Sequence, residues 1–388
     1  MNMIPLSKPY LTDVEIETIM NVMKSDRLSM GEYTNLFERK IASVANVNYA
    51  VAVNSGTSAL HLILRALGVE EFDFMLVPSF TFVASANVAL FERAIPVFVD
   101  IDERTYNMDP DALEKLLRDI ERGCVHIGNN RVDIKKVRFL MTVDVFGQPV
   151  NYDRVLSIAH DWNLKVIEDS CEALGSEYRA RPCGSFGEAG AFAFYPNKQI
   201  TTGEGGIIVT NNKELAMLCK SMRNQGRGEE EDWLNHVRLG FNYRIDELSA
   251  ALGYAQLTHL EEILEKRNNV ALSYNQLLSR YNWVQIPHIE DYTTKIGWFV
   301  YVVKLDEKIN RDRVMDYMNK RGIQVRNYFT PIHLQPFYRK LFGFSEGMLP
   351  VTERVSKSTL ALPFYTTLTL QEQETVIEIL KEAVERVG

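Results

Sequence analysis

Short runs of apolar and β-branched residues alternate with amphipathic stretches in the N-terminal half of the chain. The apolar runs are continuous, as in strands that are buried on both faces. The predicted strands cover 49–53, 74–77, 95–99, 137–143, 164–167, 189–195 and 206–210. The predicted helices between them cover 56–67, 82–91, 109–120 and 152–162. Strands separated by helices of this length predict an α/β fold with a large, mainly parallel sheet of the seven-stranded type, flanked by helices.

The pattern changes towards the C-terminus. A long helix is predicted over about 245–277, with a bend near Gly253, and alternation over 298–305 predicts a strand. Two further helices are predicted at 311–320 and 370–387, with a strand at 323–326 between them. We therefore predict a large domain at 1–245, a connecting helix at 246–280 and a smaller α/β domain at 281–388.

Composition narrows the functional classes. The 388 residues are 46% hydrophobic and 24% charged, which excludes a disordered chain. The net charge of −8 argues against a nucleic-acid partner. No apolar run is long enough for a membrane helix, and the four cysteines lack metal-ligand spacing. We expect a cytoplasmic protein without a bound metal.

A lysine in a glycine-rich segment is the first candidate for chemistry. Lys198 follows a predicted strand that Pro196 ends, and three glycines lie at 203–206. A lysine held at such a strand end can form a Schiff base if its surroundings favour the neutral amine. Taken alone, the segment is more typical of a surface lysine in a glycine-rich turn.

Acidic residues follow another predicted strand. Asp169 lies at its carboxyl end, where α/β proteins bind ligands, and Glu172 comes three residues later. An aspartate in this position can keep a pyridine nitrogen protonated, as pyridoxal phosphate requires to act as an electron sink. Helix capping by Asp169 is the structural alternative.

Two further segments follow strands that end at the same predicted sheet edge. Ser55-Gly56-Thr57-Ser58 stands between a strand and a helix, where free backbone N–H groups favour a phosphate. Phe82 follows the next strand and could stack on a flat cofactor. Simple helix capping and ordinary core packing are the respective alternatives. Neither a Walker loop nor a dinucleotide fingerprint occurs, so ATP and NAD are not indicated.

These elements, in this order, resemble the DegT/StrS family of nucleotide-sugar aminotransferases, enzymes of pyridoxal phosphate fold type I. The resemblance extends over essentially the whole chain. The motifs that carry it are 4–9, 55–60, Glu168-Asp169, Lys198 with 202–206, 240–244 and 331–336.

The resemblance implies a role for each matched position. Lys198 would form the Schiff base with pyridoxal 5'-phosphate and Asp169 would pair with the pyridine nitrogen. The remaining implied cofactor contacts are Gly56, Thr57, Ser58, Phe82, Glu172 and, from a neighbouring subunit, Asn242. The implied substrate contacts are His333, Tyr328 and Arg244. A structural histidine is the alternative for His333, and the N-terminal segment 1–30 is expected to contribute to the site.

Two positions depart from the family pattern. Many members carry Gln or His where this chain has Glu172, and a carboxylate cannot donate a hydrogen bond unless it is protonated. Many also have a serine where this chain has Ala193, so the phosphate would lose one hydroxyl partner.

The resemblance implies transfer of an amino group from an amino acid, by analogy L-glutamate, to a nucleotide-linked keto-sugar. The cofactor would alternate between pyridoxal and pyridoxamine phosphate in a homodimer with shared active sites. The product would serve polysaccharide, glycan or natural-product biosynthesis. The alternatives are another fold type I reaction (an aldolase or a desulfurase) and a regulatory protein that keeps the fold without turnover. The nucleotide, the sugar and the aminated carbon stay open.

Overall fold

The computed structural model describes residues 3–128, 130–228 and 234–388. The helices are α1 (Asp13–Met23), α2 (Glu32–Val44), α3 (Gly56–Ala66), α4 (Ala84–Phe91), α5 (Pro110–Glu121), α6 (Tyr152–Asp161), α7 (Lys213–Arg223), α8 (Glu247–Thr258), α9 (Leu260–Leu278), α10 (Arg311–Lys320), α11 (Pro336–Phe342), α12 (Pro350–Ser358) and α13 (Leu370–Val387). The strands are β1 (Tyr49–Val53), β2 (Phe74–Pro78), β3 (Ile95–Val99), β4 (His126–Ile127), β5 (Asn130–Arg131), β6 (Val137–Val143), β7 (Lys165–Asp169), β8 (Glu177–Tyr178), β9 (Arg181–Pro182), β10 (Ala189–Ala193), β11 (Gly206–Thr210), β12 (Val284–Gln285), β13 (Thr293–Lys295), β14 (Tyr301–Leu305) and β15 (Thr359–Leu362).

The principal sheet has the strand order β1-β11-β10-β7-β6-β2-β3 in the described residues. β11 runs antiparallel to its neighbours β1 and β10, and the remaining pairs are parallel. Helices cover both faces, so the strands are buried and almost continuously apolar, as in β2 and β6. The prediction of a mainly parallel α/β sheet is confirmed.

The parallel strands bring several chain segments to one edge of this sheet. β1, β2, β6, β7 and β10 all end there, at Val53, Pro78, Val143, Asp169 and Ala193. Their neighbouring positions are fixed by register, since Asp169 pairs with Val143 on one side and with Ala191 on the other. Residues that follow these strands are therefore held within reach of one ligand.

A second hydrophobic core lies in the C-terminal part of the chain. It is built by β12, β14 and β15 together with α10, α13 and the second half of α9. The first half of α9 packs instead beside β10 and β11, in a core that also contains Phe194. The division at 245 and 280 stays a prediction, and the two separate cores favour it.

Three local predictions need correction. The connecting helix is not continuous, because it is interrupted at His259 between α8 and α9, and Gly253 lies inside a regular helix. Gly253 is needed for close packing, since a Cβ there would lie 2.7 Å from the ring of Phe37. Residues 323–326 form isolated bridges, from Ile323 to Ile4 and from Arg326 to Ala361, rather than a strand. The predicted strand at 298–305 begins only at Tyr301.

No helix within the described ranges is both long and apolar enough to cross a membrane.

Candidate active site

A cavity of about 660 Å³ opens at the carboxyl edge of the principal sheet. Its wall is formed by residues that follow β1, β2, β7 and β10, and by residues 327–335 from the C-terminal part of the chain. Seven of the sequence-predicted site residues line it, namely Gly56, Thr57, Phe82, Asp169, Glu172, Lys198 and Tyr328. The structure therefore brings together most of the predicted site.

Lys198 is held in a tight turn after β10. Its backbone N–H donates to the carbonyl of Tyr195 at 2.9 Å, which closes the turn that Pro196 begins. The neighbouring Gln199 is buried, and its Nε2 donates to the carbonyls of Glu172 and Gly297, each at 2.7 Å. The lysine side chain is 13% exposed, and its Nζ lies 3.8 Å from the ring centre of Phe299. The amine thus faces the cavity and not bulk solvent.

Asp169 is fixed by two donors. Ser85 Oγ donates to Oδ2 at 2.6 Å, and the backbone N–H of Cys171 donates to Oδ1 at 3.2 Å. The residue is 6% exposed and ends the central strand β7. A carboxylate can accept about four hydrogen bonds, so this one keeps acceptor capacity towards the cavity that it lines.

Glu172 lies deeper in the same wall. Its Oε2 accepts the backbone N–H of Phe146 at 2.8 Å, and its Oε1 lies 3.8 Å from Nζ of Lys198. Burial raises the pKa of this carboxyl above its ordinary value, while Lys198 opposes the rise. Burial and the charge of Glu172 also raise the pKa of the Tyr328 phenol.

The N-terminus of α3 supplies backbone donors. Ser55 is the N-cap residue, and its Oγ accepts the N–H of Ser58 at 3.1 Å. The first-turn amides of Gly56 and Thr57 belong to those that a helix cannot pair internally, and both residues line the cavity. Gly56 permits α3 to begin this close to the end of β10, because a Cβ at position 56 would lie 2.7 Å from the Cβ of Ala193.

Ser58 is placed differently from the other predicted phosphate contacts, Gly56 and Thr57. It does not line the cavity; its Oγ donates to Oδ1 of Asn54 at 2.7 Å and lies 2.9 Å from the hydroxyl of Ser55. Its side chain therefore completes the helix cap, which is the structural alternative that the sequence left open.

Aromatic rings flank the amine and the carboxylate. Phe82 is 61% exposed at the mouth of the cavity and presents a free ring to it. Phe299 lies below Lys198, and the rings of Tyr328 and Phe329 stack beside it. These faces suit a flat conjugated ligand.

His333 is not brought to the cavity. The residue is 1% exposed; its Nδ1 lies 2.7 Å from Ser79 Oγ, and its Nε2 lies 3.1 Å from Glu353 Oε1. Burial lowers its pKa, although Glu353 opposes this. Both ring nitrogens are engaged in a closed network, which favours the structural alternative; the substrate contact expected for His333 stays a prediction.

Arg244 and Asn242 also lie outside the cavity wall of their own chain. The guanidinium of Arg244 donates to Oδ1 of Asn224 at 3.0 Å, and Asn242 is exposed beside the same residue. Residues 3–30 do not line the cavity either. Leu6 packs against the aromatic cluster that includes Phe329, so the described N-terminal segment supports the wall from behind.

Two residues that contact the predicted site, Ser85 beside Asp169 and Phe299 beside Lys198, were not found from the sequence. Ser85 lies one helical turn after Thr81 and was hidden in an apolar helix, while Phe299 belongs to an ordinary apolar run. The available signal for Ser85 was that a small hydroxyl residue stands in the helix that follows β2. Phe299 gave no signal. Across the described residues, no cluster of three or more histidine, cysteine or acidic side chains could hold a metal ion.

The fold, the buried lysine, the strand-end carboxylate and the helix N-terminus together define a fold type I pyridoxal phosphate enzyme. Residues 9–381 match the DegT/DnrJ/EryC1/StrS aminotransferase family. The chain belongs to this family, and the predicted class, a pyridoxal-phosphate-dependent aminotransferase, is confirmed.

Individual relatives cover nearly the full chain. The GDP-perosamine synthase of Caulobacter vibrioides is 35% identical over 385 residues, with 98% of each chain covered. Among solved structures, Helicobacter pylori PseC, an aminotransferase of pseudaminic acid biosynthesis, superposes with a TM-score of 0.90 at 27% identity. That match covers 99% of this chain and 100% of PseC. Spr1654 of Streptococcus pneumoniae in its PLP form has a TM-score of 0.89 at 25% identity, with 100% of both chains covered.

The residues present fit pyridoxal phosphate. A phosphate requires donors, and the free amides at the N-terminus of α3 provide them, where Gly56 lets the helix pack closely against Ala193. A pyridine nitrogen requires an acceptor, which Asp169 supplies, and an aldehyde requires an amine, which Lys198 supplies. These three groups line one cavity, so a single ligand can meet all of them.

Proposed function

We propose that the protein transfers an amino group from L-glutamate to a nucleotide-linked keto-sugar. The observation that carries the proposal is the convergence of Lys198, Asp169 and the N-terminus of α3 on one cavity. The names of the relatives support a sugar substrate, and GDP-perosamine synthase supports a nucleotide-linked one. The resulting amino sugar would serve polysaccharide, glycan or natural-product biosynthesis.

In this proposal, the cofactor is held at four points. The amides of Gly56 and Thr57 would bind its phosphate, Asp169 would accept a hydrogen bond from its ring nitrogen, and Phe82 would cover its ring. Lys198 would bind its aldehyde carbon. When bound, pyridoxal phosphate supplies an electron sink that stabilises negative charge on the substrate carbon next to the amine.

Lys198 moves the protons. Once an amino acid had displaced Lys198 from the cofactor, the free Nζ would accept the proton from the α-carbon of that amino acid and return it to the cofactor carbon on the other side of the amino nitrogen. In the half-reaction with the sugar, the same amine performs the transfer in the opposite direction. The tight turn closed by the carbonyl of Tyr195 limits how far the amine can move, which keeps both carbons within its reach.

Asp169 keeps the ring nitrogen protonated throughout. Its two donors, Ser85 and the N–H of Cys171, hold the carboxylate in one orientation. Burial of the cavity strengthens the attraction between this carboxylate and a positive ring, because little water screens it.

We assign the part of the cavity that the cofactor does not use to the sugar. The volume of the whole cavity lies inside the range of roughly 300–1,000 Å³ that is usual for ligand pockets. Asn197, Asn327 and Gln335 supply amides to the cavity wall, and the hydroxyl of Tyr328 lies beside Asn197. These groups can exchange hydrogen bonds with sugar hydroxyls, and we assign Tyr328 to substrate contact.

A homodimer with shared sites is the second part of the proposal. Asn242 is exposed and does not line the cavity of its own chain, which favours a contact with a cofactor phosphate in a second copy. We assign Arg244, which Asn224 orients in the same segment, to the same shared site.

The test uses the protein loaded with pyridoxal phosphate, ¹⁵N-labelled L-glutamate and a panel of GDP-, UDP- and dTDP-linked 3- and 4-keto-sugars. Mass spectrometry should find the label in one amino sugar and 2-oxoglutarate in equal amount. Lys198→Ala is the control and should give neither product. Loss of the amino acid carboxyl group, carbon–carbon cleavage or sulfur release without a labelled sugar would contradict the proposal and favour another fold type I reaction.

A further inference from the structure

Glu172 is the nearest charged partner that the structure gives to the amine of Lys198. Its Oε1 lies 3.8 Å from Nζ, an ion-pair distance longer than a direct hydrogen bond. Both side chains are almost completely removed from solvent, with exposures of 7% and 13%. An attraction between charges at this distance is much stronger in such surroundings than at a surface.

The position of this carboxyl is fixed independently of the lysine. The backbone N–H of Phe146 holds Oε2, and Gln199 ties the carbonyl of Glu172 to that of Gly297. The second oxygen, Oε1, is therefore left to face the amine. A side chain held in this way responds to the charge on Lys198 without moving.

Other titratable groups surround Glu172. Asp169 comes from the end of β7 and raises the pKa of Glu172, the thiol of Cys171 lies in the same loop, and Tyr328 approaches from the C-terminal part of the chain. Burial raises the pKa of the Cys171 thiol and of the Tyr328 phenol, so both are neutral near pH 7. Lys198 is the basic residue that lies within ion-pair distance of Glu172.

We propose that Glu172 is the counter-ion that sets the protonation state of the Lys198 nitrogen, a positioning role that rests on the proposed function. Its negative charge favours the protonated nitrogen, so the amine keeps its proton to higher pH than it would beside a neutral side chain. Glu172→Gln keeps the size and an acceptor for Phe146 N–H, but removes the charge.

The first test is a pH titration of the visible absorption band of the cofactor-loaded protein, which reports whether the Lys198 nitrogen carries a proton. Glu172→Gln should move the midpoint down by about 1 to 3 pH units, the range typical of losing an opposite charge at close distance. Glu204→Gln is the matched control, since Glu204 lines the same cavity and is exposed. Glu204→Gln should have the same titration midpoint as the parent protein.

The outcomes separate this inference from the proposed function. If the parent forms the band and Glu172→Gln titrates at the parent's midpoint, the counter-ion role is wrong and the function stands. If the parent forms no band with pyridoxal phosphate, both are wrong.

A second measurement does not depend on the cofactor or on the folding of Glu172→Gln. In the cofactor-free protein, the carboxyl of Glu172 can be followed by ¹³C NMR with labelled glutamate. Lys198→Met should raise its titration midpoint by at least about one pH unit, because the cation that favours the carboxylate is gone. An unchanged midpoint would overturn the inference.

Discussion

Two pairs of buried acids lie at the carboxyl edge of the same sheet and differ in their surroundings. In the first pair, Asp144 accepts hydrogen bonds from Val150 N–H, Tyr152 and Ser170, and Glu168 accepts three backbone N–H groups. This closed pair is buried away from the cavity.

The second pair, Asp169 and Glu172, lines the cavity. Here each carboxyl has fewer donors, and Glu172 turns one oxygen towards Lys198. The open pair therefore keeps acceptor capacity and charge for a ligand, while the closed pair uses both for the fold. Satisfied hydrogen bonding, more than burial, distinguishes structural acids from functional ones.

The comparison predicts the largest loss of activity at Lys198, the amine that lies beside the open pair. Lys198→Ala should lower kcat at least about 1,000-fold, because proton transfer and cofactor attachment are both lost. Steady-state assays of transamination measure this, and Lys24→Ala at an exposed helix end serves as the control. Turnover within tenfold of the parent would mean that another group moves the proton.

A smaller loss of activity is expected at Asp169, the aspartate of the open pair. Asp169→Asn should lower kcat on the order of 100-fold with little loss of folding stability, since the amide cannot hold a positive ring nitrogen. Ser85→Ala should lower kcat by only about 3- to 10-fold, because it removes one of the two donors to Asp169. Equal effects of the two variants would contradict the assignment of Asp169 as the direct contact.

The closed pair should instead control stability as a function of pH. Burial raises the pKa of Asp144 from 3.8 to about 6 and that of Glu168 from 4.5 to about 7. The folded chain therefore binds more protons than the unfolded chain between about pH 4 and 7, and the free energy of unfolding falls as pH rises through this window.

Urea unfolding at a series of pH values checks this prediction. Glu168→Gln should flatten the decline, although it also lowers stability, since the amide keeps one oxygen for the three N–H groups. Asp161→Asn, at an exposed position, should reproduce the parent curve. A decline of the same slope in Glu168→Gln would show that Glu168 does not titrate in this window.

The smallest effect on activity is expected at His333. His333→Gln should change KM for the sugar less than about threefold, because the ring is enclosed by Ser79 and Glu353 outside the cavity. Its free energy of unfolding should fall by roughly 1–3 kcal/mol, the usual result of disturbing buried hydrogen bonds. A tenfold rise in KM at unchanged stability would restore the substrate contact that the sequence predicted.

The sequence predicted what depends on neighbouring residues. The strand ends placed Asp169 and Lys198 at one edge, because parallel strands bring their carboxyl ends together whatever the intervening chain does. The start of α3 was found for the same reason, since capping is local.

Contacts between distant segments could not be predicted in this way. The position of Phe299 under Lys198 and the enclosure of His333 by Ser79 depend on how the C-terminal part of the chain packs against the sheet. The sequence around one residue does not show whether its polar side chain faces a cavity or belongs to a closed hydrogen-bond network. Ser58 illustrates this, because capping residues and phosphate-binding residues have the same local pattern.

The most direct test of the central claim is to locate the covalent attachment of pyridoxal phosphate. The loaded protein is reduced with borohydride, digested and mapped by mass spectrometry. The expected result is one cofactor mass on the peptide that contains Lys198, and none on that peptide in Lys198→Ala. Attachment at another lysine, with Lys198 unmodified in an active preparation, would contradict the account.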